Sequence, residues 1–201
     1  MQSGKISFQQ SLIGKATGLL ALAATIFFLA RDWRDPLTAI ACLFFIVICL
    51  TDTLYAKILN SSNLLMCMGG LTFQIFSHGI AGLYLATLGL LTGLALLLIP
   101  YWMGGVGGGD VKALAALGTL VGPMTILQVF LYIGLIGGVI ALKPGEIKSR
   151  LFGWMTVLLA LVCTKKPGLF IPVDPQKKLR FPYAAAIALG FFAFTTWGGI
   201  L

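Results

Sequence analysis

Apolar residues run along this chain in long uninterrupted blocks separated by short polar punctuation, a pattern that favours helices over barrel strands. The blocks fall at about 12–30, 36–52, 63–78, 80–100, 110–122, 124–142 and 183–200. Most approach the roughly 17 to 25 residues that a helix needs to cross a bilayer, where unpaired backbone groups are not tolerated. The pattern therefore predicts an all-α, polytopic membrane protein with about seven transmembrane helices. Pro36, Pro123 and Pro182 stand at or near predicted helix starts, where a missing N–H matters least. The 110–122 block is short and approached through glycines, which places it among other helices rather than against lipid.

Composition agrees with the pattern. Hydrophobic residues make up 59% of the 201 residues, charged residues 10%, and mean hydropathy is +1.00. An ordinary water-soluble domain is excluded. The first block lacks a small-residue cleavage site and is followed by Arg31-Asp32-Trp33-Arg34, so it reads as a retained helix rather than a signal peptide.

The net charge of +8 orients the chain. With the N-terminus inside, only Arg31 and Arg34 of the fourteen Lys and Arg residues fall outside, the asymmetry expected of cytoplasmic loops. The stretch 143–182 holds a short apolar run, 151–163, with basic residues on both sides. It is expected to lie at the interface or re-enter within a cytoplasmic loop. The basic face implies contact with anionic lipid and not with nucleic acid. One membrane-embedded domain, 1–201, accounts for the whole pattern.

Chemistry is sparse. Cys42, Cys49, Cys67 and Cys163 stand singly in apolar segments, with no CxxC pair or Cys/His cluster, so neither a metal site nor a disulfide framework is expected. His78 beside Gly79 reads as a short polar turn. No Walker loop, HExxH pair or GxSxG elbow occurs, and no cofactor is implied. Small-xxx-small spacings at Gly14/Gly18, Gly89/Gly93, Gly118/Gly122 and Gly134/Gly138 suit close helix packing.

Two of the six acidic residues are placed differently from the rest. Asp110 follows Gly107-Gly108-Gly109 at the start of one apolar block, and Asp52 closes another in Leu50-Thr51-Asp52-Thr53-Leu54. Asp110 alone reads equally as a helix cap, and Asp52 alone as a solvated interfacial acid paired with Lys57. In the topology above both reach the cytoplasmic face. Two such carboxylates meeting over one water do not both ionise cheaply, which provides a base and an acid for peptide hydrolysis without a metal. Gly107, Gly108 and Gly109 would leave room for an extended substrate backbone.

These residues also carry a family resemblance. Gly107-Gly108-Gly109-Asp110 fits a GxGD motif, and the run from Gly104 to Gly118 resembles the type IV prepilin peptidases. Ile58 and Asn60 stand six and eight positions after Asp52, as in that family, although Leu59 replaces its usual Pro. The segment 181–190 is similar to the family's last helix. The resemblance implies an aspartic endopeptidase of the bacterial inner membrane. It would cut the leader from prepilin or pseudopilin precursors at the cytoplasmic face, with Asp52 and Asp110 catalytic. The first two predicted spans are closely joined and the cysteines unpaired, so the chain resembles the compact Tad/Flp form without the methylating domain. The helix at 12–30 and the basic loop at 143–182 are additions to that pattern. A transporter using intramembrane acids, or a secretion-system assembly subunit, is the alternative from the residues alone.

Overall fold

The computed structural model describes residues 2–55, 58–102, 106–141 and 183–198, and all the regular structure among them is helical. The helices are α1 (Gln2–Arg31), α2 (Pro36–Tyr55), α3 (Asn60–Trp102), α4 (Gly108–Val121), α5 (Pro123–Ala141) and α6 (Tyr183–Trp197). The expected interfacial segment 151–163, the loop 143–182 that contains it, and Lys57 lie outside the described residues.

The longest element is two helices in one. At 43 residues, α3 would extend about 64 Å if straight, twice a hydrocarbon core of roughly 30 Å. It reverses instead at Gly79, whose φ of 60° and ψ of −136° belong to the region open chiefly to glycine. A Cβ on Gly82 would collide with the Gln74 carbonyl, so the two arms touch directly beyond the turn. The reversal falls where the apolar pattern separates 63–78 from 80–100. Pro36 and Pro123 are the first residues of α2 and α5, as expected of helix starts.

Among the described residues, Pro36–Tyr55 and Asn60–Trp102 are by length and composition the helices long and apolar enough to cross a membrane. Ala16–Arg31, Pro123–Ile136 and Tyr183–Trp197 are shorter apolar stretches. Helix α4, at 14 residues, extends about 21 Å and is enclosed by its neighbours. Every residue from Ala113 to Leu120 is buried, which an all-round apolar helix requires.

Close approach around α4 is made by small residues. A Cβ on Gly89 would strike the Gly118 carbonyl, and one on Gly118 would strike that of Gly89, so α3 and α4 meet backbone to backbone. Gly93 lies over Leu114 and Ala115, and Gly70 over Thr119 and Leu120. Lipid tails are as apolar as leucine, so such packing, rather than water exclusion, is what drives helix association in a bilayer. The other spacings divide: Gly18 packs on Thr53 and the Gly122 backbone lies against Gly89, whereas a Cβ at Gly134 would meet nothing among the described residues. On the far side of the bundle, Phe28 of α1 stacks on Phe192 of α6 at 4.4 Å between centroids, and Phe45 of α2 meets Phe191 and Phe192 at 5.4 and 5.6 Å. This aromatic cluster ties α1, α2 and α6 together.

Candidate functional site

Asp110 belongs to the first turn of α4. The sequence suggests a helix beginning at Asp110 with the acid as its cap; instead the helix begins at Gly108, and Gly107 is the N-cap in an extended conformation. Asp110 is the third helical residue, and its Oδ2 accepts the Gly107 N–H at 3.1 Å. That is half of a capping box, and Gly107 has no side chain to supply the other half. A Cβ at Gly107 would lie 2.9 Å from Asp110 Oδ2, so glycine here is what lets the carboxylate fold back over the helix start.

The glycines of the motif do different things. Gly107 and Gly108 are exposed, and Gly108 faces the ring of Tyr101 at 3.5 Å from its Cβ position. Gly109 is partly buried against Ile58, whose Cβ would lie 3.2 Å from a side chain there.

Helix register sets the depth of the acid. Gly93 opposes Leu114 and Gly89 opposes Gly118, so the second arm of α3 runs antiparallel to α4. Continuing that register places Asp110 level with Leu97, about 7.5 Å inward of Trp102 at ~1.5 Å per residue. Tyr101 and Trp102 are exposed aromatics at the end of α3, the kind of residue that sits at a membrane–water boundary. Asp110 thus sits inward of that aromatic end.

Asp52 lies one turn from the end of α2, partly buried. Its neighbours satisfy themselves: Thr51 Oγ1 donates to the Val47 carbonyl at 2.9 Å and Thr53 Oγ1 to that of Cys49 at 2.6 Å. Bonding back to the same helix is how hydroxyls are accommodated among apolar residues. Helix α1 reaches this turn through Gly18, which touches Thr53. Helices α2 and α4, which carry the two acids, are in contact. The fold packs against each other the two helices that carry the acids singled out by the sequence.

The segment that follows Asp52 clasps the segment that carries Asp110. Ile58 packs on Gly109, Asn60 Oδ1 accepts from Lys112 Nζ at 3.1 Å, and Asn63 Nδ2 donates to the Gly109 carbonyl at 3.2 Å. Lys112 and Asn60 are both exposed, so the ammonium is held at the rim. The spacing Asp52, Ile58, Asn60 therefore has a structural meaning: one stretch delivers the first acid and grips the start of the helix bearing the second.

Sequence reasoning missed Asn63 and the Lys112–Asn60 bond. Asn63 falls where a polar boundary meets an apolar block, and a boundary asparagine is hard to distinguish from a solvated one. It also missed a second polar contact at the other end of α4, where Gln74 Nε2 donates to the Leu120 carbonyl at 2.7 Å. His78, read as a turn residue, places Nδ1 3.0 Å from Gln74 Oε1.

Apolar helices packed around a short central helix define a helical membrane protein. The chain matches the type IV leader peptidase family over residues 39–142, just over half its length, and it belongs to that family of aspartic-type proteases. The matched region spans α2 to α5 and contains Asp52, Asp110 and the clasp between them. Helices α1 and α6 lie wholly outside it. No curated protein and no solved structure gives a significant match.

Proposed function

We propose that this chain is an aspartic endopeptidase of the bacterial inner membrane that removes the short leader from pilin-like precursors at the cytoplasmic face, with Asp52 and Asp110 as its catalytic pair. The observation that carries this reading is the clasp at one end of the bundle, where Ile58 and Asn60, six and eight residues after Asp52, hold Gly109 and Lys112 on either side of Asp110. Family membership supplies the reaction class.

Two carboxylates in one weakly solvated site share a proton rather than both ionising. The ionised member takes a proton from water as the oxygen attacks the scissile carbonyl. The protonated member polarises that carbonyl, and the leaving amine is protonated as the tetrahedral intermediate collapses. The proton belongs to the pair, so either acid serves as the base in this scheme. The exposed backbone at Gly107 and Gly108 suits the approach of an extended substrate, with Gly109 held from behind by Ile58.

The inward position of Asp110 fits such a substrate. A precursor whose own apolar helix lies in the bilayer presents the bond preceding that helix near the membrane surface. Dividing α3 at Gly79 gives seven helical segments among the described residues, which supports a seven-span arrangement with the N-terminus inside. In that arrangement both acids face the cytoplasm. The short connection at 32–35 between α1 and α2 and the unpaired cysteines support cleavage without N-methylation. Asp52→Asn and Asp110→Asn should each abolish precursor cleavage in membranes while the protein remains inserted. Cleavage retained by either variant would remove that acid from the mechanism.

A further inference from the structure

Asn63 is 95% buried at the first turn of α3. Its Nδ2 donates to the carbonyl of Gly109, the residue immediately before Asp110. Its Oδ1 is buried with no hydrogen-bond partner among the described residues. The amide cannot be turned over to relieve this, because exchanging the two atoms would set Oδ1 against the Gly109 oxygen.

An unmet buried acceptor costs on the order of 1–3 kcal/mol, and nearly all buried polar groups avoid it. Packing does not require an amide here, since leucine, whose side chain has the same branched skeleton of four heavy atoms, would occupy the place without the penalty. Nor does the Gly109 carbonyl depend on Asn63, because within α4 it accepts the N–H four residues on. What Asn63 adds is direction. Its nitrogen is bound to the peptide that joins Gly109 to Asp110, and it pins that peptide to α3. Ile58 presses on the same glycine from the α2–α3 connection. The remaining constraint, the Gly107 N–H on Asp110 Oδ2, comes from the glycine loop itself and moves with it.

We propose that Asn63 is a positioning residue for Asp110, fixing the first turn of α4 so that the carboxylate meets Asp52 across the scissile bond. The proposal rests on the reading of Asp110 as a catalytic acid. A misplacement of about 1 Å in a reacting group lowers rates on the order of 100-fold, so a single tether here has leverage.

The test compares Asn63→Leu and Asn63→Asp with the unaltered protein, purified in detergent and cleaving a pilin-like precursor peptide, with thermal unfolding measured in parallel. Asn63→Leu removes the donor and the unmet acceptor together; it should unfold at the same or a higher temperature, yet lose kcat on the order of 10- to 100-fold with KM within about 2-fold. Asn63→Asp, which keeps the shape and replaces the donor by an acceptor, should lose kcat at least as far. Unchanged kcat in Asn63→Leu would overturn the proposal. So would a fall in its unfolding temperature, which would make the amide a structural group. Asp110→Asn is the control: if it still cleaves, the underlying reading fails, whereas an inactive Asp110→Asn beside a fully active Asn63→Leu defeats the positioning role alone.

Discussion

At the scale of single residues, the site depends on how closely backbone and carboxylate approach. Gly107 tolerates alanine by its own backbone angles, but the added Cβ would fall 2.9 Å from Asp110 Oδ2 and force that side chain to rotate. Gly107→Ala should therefore insert normally and cleave precursor at least about 10-fold more slowly, as expected for a displaced reacting group. Initial-rate assays on membranes normalised for protein would check this. Lys112 sits on the same turn with a different expectation. Its bond to Asn60 is exposed, and such pairs are worth up to about 1 kcal/mol. Lys112→Met should lower the cleavage rate by no more than about 5-fold, within that energy. A shared proton between the two acids also predicts a bell-shaped dependence of kcat/KM on pH, bounded by two apparent pKa values that belong to the pair. A rate that rises to a plateau without a second limb would contradict the acid half of the scheme.

At the scale of elements, the α3 hairpin and α4 form a unit whose contact is made of glycine backbone. Replacing Gly118 or Gly89 by leucine inserts a side chain where two main chains touch. Overpacking of this kind typically costs about 1–3 kcal/mol, and here the opposing atoms are backbone that cannot rotate away. Gly118→Leu should lower the unfolding temperature in detergent, while Gly134→Leu, at a position with open space around it, should not. A melting comparison of the two separates packing glycines from incidental ones. This is also where the sequence was less informative. Helix boundaries were legible because apolar length and proline punctuation are local: the break at Gly79 and the starts at Pro36 and Pro123 follow from the pattern. Partners were not. Among 25 glycines, spacing alone could not say that Gly89 meets Gly118 while a side chain at Gly134 would meet nothing among the described residues. The two acids stand out in the sequence because charge is rare in such a chain. Asn63 does not, because its bond spans 46 residues and leaves no local mark.

At the scale of the whole molecule, the short helix α4 packs chiefly against the α3 hairpin and also against α5, α2 and α6, with Asp110 in its first turn. The proposed topology puts that end in the cytoplasm and the 32–35 connection outside. Single cysteines introduced in place of Ser61 and Arg34, in a background with the native cysteines replaced, should react with a membrane-impermeant thiol reagent from opposite sides. Labelling of Arg34→Cys from outside and Ser61→Cys only after the inner face is opened is the expected result; the reverse would invert the orientation. The aromatic cluster of Phe28, Phe45, Phe191 and Phe192 links the regions outside the family match to α2, so α1 and α6 contribute to holding the helix that carries Asp52.

The central claim is that Asp52 and Asp110 act together on one peptide bond. It is tested most directly by incubating purified protein, Asp52→Asn and Asp110→Asn with a pilin-like precursor and sequencing the product's new N-terminus. The account predicts a single cut at the boundary between leader and apolar helix by the unaltered protein, and none by either folded variant. Cleavage at that boundary by either variant would contradict it.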